Sequence, residues 1–369
     1  MNLRYLAALS TTVGTIVGGG ILALPYAVEK SGILVGLLLF AVIGAASILI
    51  TMYTGELSSR FKKFHQLPVM VGGYMGRKFR MLTLLFQILT IYGAQIAYLI
   101  GISIVLVALF DVPYYIALTL VFLLTLPLIY KGYKLVEDAE TPLLFIKLGL
   151  IVAVSIIILT TFHVGNISLF NNGNIFGPFG VILFSLTGYT IIPEVREELG
   201  NKPKDLNSVI ISAYVISIAM YVLFTLAFIG AFGSGVAEIA TNSITSNGYQ
   251  LLLAVTTLFL LITPYIALSL VLTDAFSYDF KINRGVSLAM AAVIPFAIAF
   301  LDLDFQAVLS ITGGIFVSAL SILILAAVHL ARKRERATPK YYVRGGEVAI
   351  VFTGIIMALG VVYTLLQVI

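Results

Sequence analysis

Cysteine and tryptophan are absent from this 369-residue chain, and charge is scarce, with Asp, Glu, Lys and Arg making up only 11%. Each absence excludes something. Without cysteine there is no disulfide framework, no thiolate metal site and no cysteine nucleophile. The three histidines, His65, His163 and His329, are scattered and offer no metal cluster. There is no G-x-x-x-x-G-K-[ST] loop, no H-E-x-x-H pair and no paired catalytic groups inside the apolar runs, which argues against an enzyme. Nothing calls for a cofactor. The scarcity of charge says most. A soluble domain carries roughly a quarter charged residues to keep its surface wet, so most of this surface must face lipid.

What fills the sequence instead is apolar. Hydrophobic residues make up 60%, and the mean hydropathy is +1.08. A span needs about 20 apolar residues. Eleven such runs are present, at 3–29, 33–57, 81–109, 113–130, 140–161, 174–194, 205–232, 248–273, 285–301, 305–330 and 346–368. The first is too long for a signal peptide and carries glycine and proline where a signal has plain aliphatic residues, so it is expected to remain as a span. An N-terminus in the cytoplasm puts Arg60, Lys62, Lys63, Arg77, Lys78, Arg80, Lys131, Lys134, Arg196, Lys202, Lys204, Lys281 and Arg284 in inner loops. Arg332, Lys333, Arg334, Arg336, Lys340 and Arg344 join them. The outer loops keep only Lys30 among Lys and Arg, with Asp111, Glu238, Asp302 and Asp304. The positive-inside rule is thus met at every turn, with the C-terminus outside the cell membrane. The net charge of +5 marks orientation rather than nucleic-acid binding. With no tryptophan, an aromatic belt at the interfaces is expected from the 19 tyrosines.

The expected fold is all-α and integral to the membrane, a single domain with a repeat inside it. Gly20 and Pro25 in span 1 are matched by Gly188 and Pro193 in span 6, both as G-x-x-x-x-P and both 168 residues apart. Pro127 and Pro295, in spans 4 and 9, share that offset. Five spans per half insert the halves with opposite topology. An inverted repeat of five plus five helices, at about 1–161 and 174–331 with an eleventh helix at about 346–368, fits the count. Interrupted helices at equivalent places in two halves point to a transporter's binding site.

Span 1 runs T-T-V-G-T-I-V-G-G-G-I-L-A-L-P from Thr11 to Pro25. Three consecutive glycines each cost about 1 kcal/mol relative to alanine in a helix, and Pro25 has no N–H to give the Ile21 carbonyl. Unwinding there bares backbone groups that hydrocarbon does not satisfy. The amides of Gly18, Gly19 and Gly20 open the second half-helix and suit a carboxylate. The carbonyls of Thr15 and Ile16 end the first half and suit an ammonium. The alternative reading is close helix packing through small residues. In span 6, Gly188 and Pro193 weaken the helix again, and Phe184, Ser185 and Leu186 supply carbonyls beside it. Two facing breaks meet a zwitterion without any side-chain charge.

The span 1 run G-x-G-I-L-A-L-P, from Gly18 to Pro25, resembles the first helix of the amino acid/auxin permease family and of the related aromatic amino acid permeases, both in the amino acid–polyamine–organocation superfamily. The pattern Phe184, Gly188, Pro193, Glu194 is similar to their sixth helix. The run from Gly93 to Gly101, G-A-Q-I-A-Y-L-I-G, resembles their third, and that from Thr263 to Asp274, T-P-Y-I-A-L-S-L-V-L-T-D, the eighth of the aromatic branch. Tyr189 departs from a histidine common in members, and Pro264 from the usual eighth helix. The resemblance implies the leucine-transporter fold, with discontinuous helices 1 and 6 holding an amino acid.

Lys147, about seven residues into span 5, is either a snorkelling lysine or a functional one. The resemblance implies the latter: proton-coupled relatives carry a lysine in helix 5 where sodium-coupled ones bind an ion between helices 1 and 8. Its neighbours would be Thr263 and the carbonyls near Gly14 and Val17. Gln95 and Tyr98 in span 3 face either the cavity or a neighbouring helix, and Glu56, Glu194 and Asp274 serve either as gates or as solvated helix ends. The expected partners are a neutral L-amino acid, since no unpaired charge flanks the breaks, a proton and the lipid bilayer, with one chain sufficient. Sodium coupling, an amino acid sensor and a channel are the competing readings. A channel builds its pore by oligomer symmetry, whereas this chain has two pseudo-equivalent halves.

Overall fold

A computed structural model describes residues 3–61, 65–131, 140–171, 174–200, 203–244, 248–334, 339 and 341–368. Lys62, Lys63, Lys134, Lys202, Arg336 and Lys340 of the basic loops lie outside the described residues. Among the described residues every regular element is helical. The first apolar run is two helices, α1 (Leu3–Ile16) and α2 (Leu24–Ser31), with a tight 3-10 turn at Gly19–Leu22 between them. Then come α3 (Ile33–Ser59), α4 (Leu67–Met75), α5 (Arg77–Phe110), α6 (Tyr114–Lys131) and α7 (Glu140–Leu159). The sixth run is again two helices, α8 (Phe179–Ser185) and α9 (Ile192–Glu198). The chain continues through α10 (Pro203–Phe232), α11 (Gln250–Asp274), α12 (Arg284–Ala299), α13 (Phe305–Ile311), α14 (Ser318–Arg334) and α15 (Gly346–Val368).

Among the described residues seven helical stretches are long and apolar enough to cross a membrane, and two shorter apolar helices lie at Tyr114–Tyr130 and Arg284–Ala299. With the two interrupted runs, these account for the eleven segments. The tenth is continuous but widened, because a π-helical turn at Thr312–Val317 joins α13 to α14. Helix α4 is new. Its nine residues, Leu67–Met75, are too few to span, and they bury Leu67, Pro68, Met70 and Val71 against the neighbouring α5.

The tyrosines divide, with Tyr115, Tyr130, Tyr249 and Tyr342 exposed at or near helix ends and a second set inside. Tyr53, Tyr98, Tyr189, Tyr214, Tyr221 and Tyr265 are buried inside the protein. An aromatic body with a polar tip fits where helix breaks leave carbonyls in an apolar interior. Outward faces carry Leu123, Leu124, Phe145, Val215 and Leu366 instead, side chains that cost nothing against lipid tails. The interrupted helices lie inside this shell. Helix α1 packs on α7, α9 and α10, and α8 packs on the Gly19–Leu22 turn, α3 and α13.

Candidate functional site

The first helix ends where its glycines begin. The Val17 amide still reaches the Val13 carbonyl at 2.7 Å, but Gly18 turns extended, with φ −135° and ψ −161°. Bonding resumes with Ile21 N–H on the Gly18 carbonyl, 3.3 Å, and Ala23 N–H on that of Gly20, 3.1 Å. Among the described residues no backbone carbonyl accepts from the amides of Gly18, Gly19 or Gly20. Those are the donors that the start of a helix leaves over.

The second break is built differently. Helix α8 stops at Ser185, and Leu186 and Thr187 turn back onto the carbonyls of Ile182 and Phe184. A short 3-10 turn at Tyr189–Ile191 leads into α9. The two breaks touch. A Cβ added to Gly20 would overlap Ser185, and one added to Gly188 would stand 2.7 Å from Ile16. No bulkier residue fits between them in this arrangement.

Helix α10 ties the breaks together. The Tyr221 hydroxyl donates to the Ile16 carbonyl at 2.6 Å and to the Ser185 carbonyl at 2.9 Å, so one proton serves the C-terminal ends of both half-helices. Two turns earlier, the Tyr214 hydroxyl donates to the Leu186 carbonyl at 3.0 Å and meets Thr51 Oγ1 at 2.7 Å. The sequence reading did not single out either residue. Their seven-residue spacing puts both on one helical face, and two polar-tipped aromatics on one face of an apolar span were the available signal.

The sequence-predicted residues divide. Gly18, Gly19, Gly20, Ile16, Ser185, Leu186 and Gly188 come together at the breaks, and the Tyr98 ring and Leu261 pack over Gly19. Phe184 is the half-buried residue just before. Thr15 is turned to its own helix, its hydroxyl on the Thr11 carbonyl at 2.9 Å. Gln95 takes the interhelical alternative, with Nε2 donating to Ser269 Oγ at 2.7 Å and to the Ala291 carbonyl at 3.1 Å. Lys147 is 8% exposed, on a helix that packs against α10, against α1, which carries Gly14 and ends just before Val17, and against α11, which carries Thr263. The Thr263 hydroxyl donates to the Phe259 carbonyl at 2.8 Å.

A second polar centre lies on the basic rim. Glu56 is wholly buried, and Arg332 grips it with Nε on Oε1 at 2.9 Å and Nη2 on Oε2 at 2.5 Å. Arg60 adds a bond at 2.9 Å and the Val343 amide one at 3.0 Å. This is no solvated helix end: it clamps α3 to α14 and to the chain that follows α14. Removing one partner of such a cluster costs about 3–5 kcal/mol. Arg196 of α9 donates to Ser58 Oγ at 2.9 Å, and Thr11 of α1 to Glu198 of α9 at 3.1 Å, so the inner half-helices are bound to the same rim. Glu194 is exposed and Asp274 half-buried.

The two helix breaks thus converge, one presenting amides without a backbone acceptor and both presenting carbonyls at the ends of their first halves. Comparison with known proteins gives the class. The family described as transmembrane amino acid transporter protein matches residues 2–369. Glutamine transporter 2 from Aliivibrio fischeri is 21% identical over 376 residues, covering 96% of this chain and 97% of that one. Among solved structures, the manganese transporter from Eremococcus coleocola is similar in three forms. A single-residue variant and a complex with an aromatic bis-isothiourea substituted compound each have a TM-score of 0.69 at 14% identity, and a second variant has 0.68 at 13%. Each covers 98% of this chain, and 86%, 87% and 86% of its own is covered. At that identity the likeness is one of fold, of the leucine-transporter type.

Proposed function

The chain belongs to the transmembrane amino acid transporter family, and from that premise we propose that it is a secondary transporter importing a neutral L-amino acid together with a proton, by alternating access. The observation that carries this reading is the meeting of the two breaks. The substrate carboxylate lies on the amides of Gly18, Gly19 and Gly20, and its ammonium meets the carbonyls of Ile16, Ser185 and Leu186. Tyr98 packs on Gly19 in this arrangement, so it moves aside as substrate enters. No charged side chain is needed, in keeping with a neutral substrate. The Aliivibrio fischeri relative, a glutamine transporter by name, agrees with that class.

The two halves form an inverted repeat of five plus five helices, with α15 as the eleventh. The N-terminus is cytoplasmic and the C-terminus external in the cell membrane, and one chain suffices. Lys147 carries the coupling proton. Protonated, it ties α7 to α1 and α11. On losing the proton it releases α1 to swing, which gives the differential affinity that a shift between two access states requires.

Uptake into proteoliposomes tests this. An inward proton gradient is expected to drive accumulation without sodium, and Lys147→Ala to lose accumulation while keeping substrate binding. Accumulation that needs a sodium gradient and ignores external pH makes Lys147 a structural lysine only. Binding without any flux makes the protein a sensor. For the topology, Lys281→Cys gives the chain its single cysteine, which is expected to label only after sealed cells are opened.

A further inference from the structure

The basic rim also holds a cavity that the transport site does not use. It has a volume of about 490 Å³ and lies between the start of α4, the first two turns of α5 and Phe280 beyond α11. Its polar side is His65, Arg77 and Arg80, and its apolar side is Met81, Leu84 and Phe280. Arg77 and Arg80 are three residues apart, on neighbouring positions of one helical face. The Arg80 stem lies against Gly72 of α4, and the His65 ring stands edge-on to Phe61 at 5.4 Å. The polar wall is therefore held in place from α4.

Three features define what fits. First, among the described residues no carboxylate lines the cavity and neither Arg77 nor Arg80 makes an ion pair, whereas Arg60 and Arg332 are taken up by Glu56. Second, the cavity lies at the N-terminal end of α5, the positive end of a 34-residue helix. Third, the apolar wall runs on into side chains that face outward, with Phe79, Met81, Leu82 and Leu85 all exposed. A helix of 34 residues is about 51 Å long, which with ordinary tilt matches the ~40–45 Å of hydrocarbon and headgroup layers. Its first turn thus sits at headgroup level.

We propose that this cavity binds the headgroup of an anionic phospholipid, with the phosphate on Arg77, Arg80 and the α5 amides and the upper acyl chain along Met81, Leu84 and Phe280. Paired guanidiniums recognise phosphate, and basic pockets at this level of a membrane protein hold lipid headgroups. A soluble anion would gain nothing from the apolar wall.

The absence of tryptophan supplies the test. Met81→Trp places the only indole of the chain at the cavity. The purified protein is reconstituted into phosphatidylcholine vesicles containing 20% phosphatidylglycerol, with bromine on the acyl chains of one lipid or of the other. Brominated phosphatidylglycerol is expected to quench well beyond its share of the bilayer. Adding Arg77→Gln and Arg80→Gln should lower that preference on the order of tenfold, while Lys333→Gln with Arg334→Gln, on the same rim outside the cavity, leaves it unchanged. Helical circular dichroism confirms that each variant is folded, and Leu84→Trp is a second reporter. Quenching in proportion to composition overturns the proposal, as does an equal loss in the Lys333 and Arg334 variant, which would make the effect one of general surface charge. Release of the lipid by millimolar inorganic phosphate also overturns it, in favour of a soluble anion.

Discussion

The two helix breaks do the same thing by different means. The break in the first helix comes from its own residues: Gly18 to Gly20 unwind the chain, and the price is three amides with no backbone acceptor. The break in the sixth has one glycine, Gly188, and its exposed ends are carbonyls answered from another helix by Tyr221 and Tyr214. The first break therefore has donors to spare, and the second has acceptors already partly satisfied. A zwitterion set between them would offer its carboxylate to amides that lack a backbone acceptor, while its ammonium competes with tyrosine hydroxyls for the carbonyls of Ile16, Ser185 and Leu186.

The most damaging test of that asymmetry is Gly20→Val. A Cβ at Gly20 meets not only Ser185 Oγ but the Ser185 backbone, with Cα at 3.2 Å, so rotamer changes do not relieve it. Amino acid binding is expected to disappear, with about 1–3 kcal/mol lost from stability through overpacking. Gly19→Ala is expected to hurt less, because the atoms it meets are the Leu261 tip and the Tyr98 ring, which turn aside. Isothermal titration of both variants against the substrate decides it. Equal losses, or normal binding by Gly20→Val, would remove the first break from the site.

Tyr221→Phe comes next in size. It leaves the Ile16 and Ser185 carbonyls without their donor inside an apolar interior, at about 1–3 kcal/mol. Tyr214→Phe takes one donor from Leu186 and leaves Thr51 free to turn to that carbonyl, so about 0.5–1.5 kcal/mol is expected. Denaturation in detergent ranks the two. A Tyr214 effect as large as that of Tyr221 breaks the idea of one hydroxyl shared by both breaks.

How far the sequence reaches follows the same contrast. The first break is written locally: three adjacent glycines before a proline have few other uses in an apolar run, and residues 17–23 unwind where they stand. The sixth was found through its offset from the first, since one glycine and one proline are weak alone. What stayed hidden is whatever depends on packing between distant segments. Tyr221 reaches a carbonyl 205 positions away, and no local pattern announces such a partner. Gln95 had two readings, and the choice between them was made by Ser269, 174 positions on. Glu56 looked like a helix end because its partner Arg332 is 276 residues away. Helix α4 is nine residues with two glycines, below the length at which a hydrophobic period can be seen.

The smallest expected effect concerns the outer side of the first break. The Ala23 carbonyl, just past its 3-10 turn, accepts from Gln306 Nε2 at 2.5 Å, and the same nitrogen stands 3.5 Å from the Glu238 carbonyl. The sixth break has no comparable tie to a titratable group at this rim among the described residues. Burial first, then the charge and hydrogen bond of Asp304, push the Glu238 carboxyl up to about 7 from an ordinary 4.5. The folded protein thus holds a proton that the unfolded chain gives up between about pH 4.5 and 7. Stability contributed by this pair is present below pH 4.5, declines as pH rises through that window and is gone above about 7. Glu238 is half-buried, so solvent screens part of the effect and the shift in melting temperature is small. Glu238→Gln stays neutral throughout and should remove that slope, leaving a flatter melting profile from pH 5 to 8. If the two profiles run parallel, the Glu238 carboxyl is not the source of the slope. If the slope vanishes and substrate affinity also loses its pH dependence over the same range, then Gln306 passes the titration to the first break, and the asymmetry between the breaks reaches the protein surface.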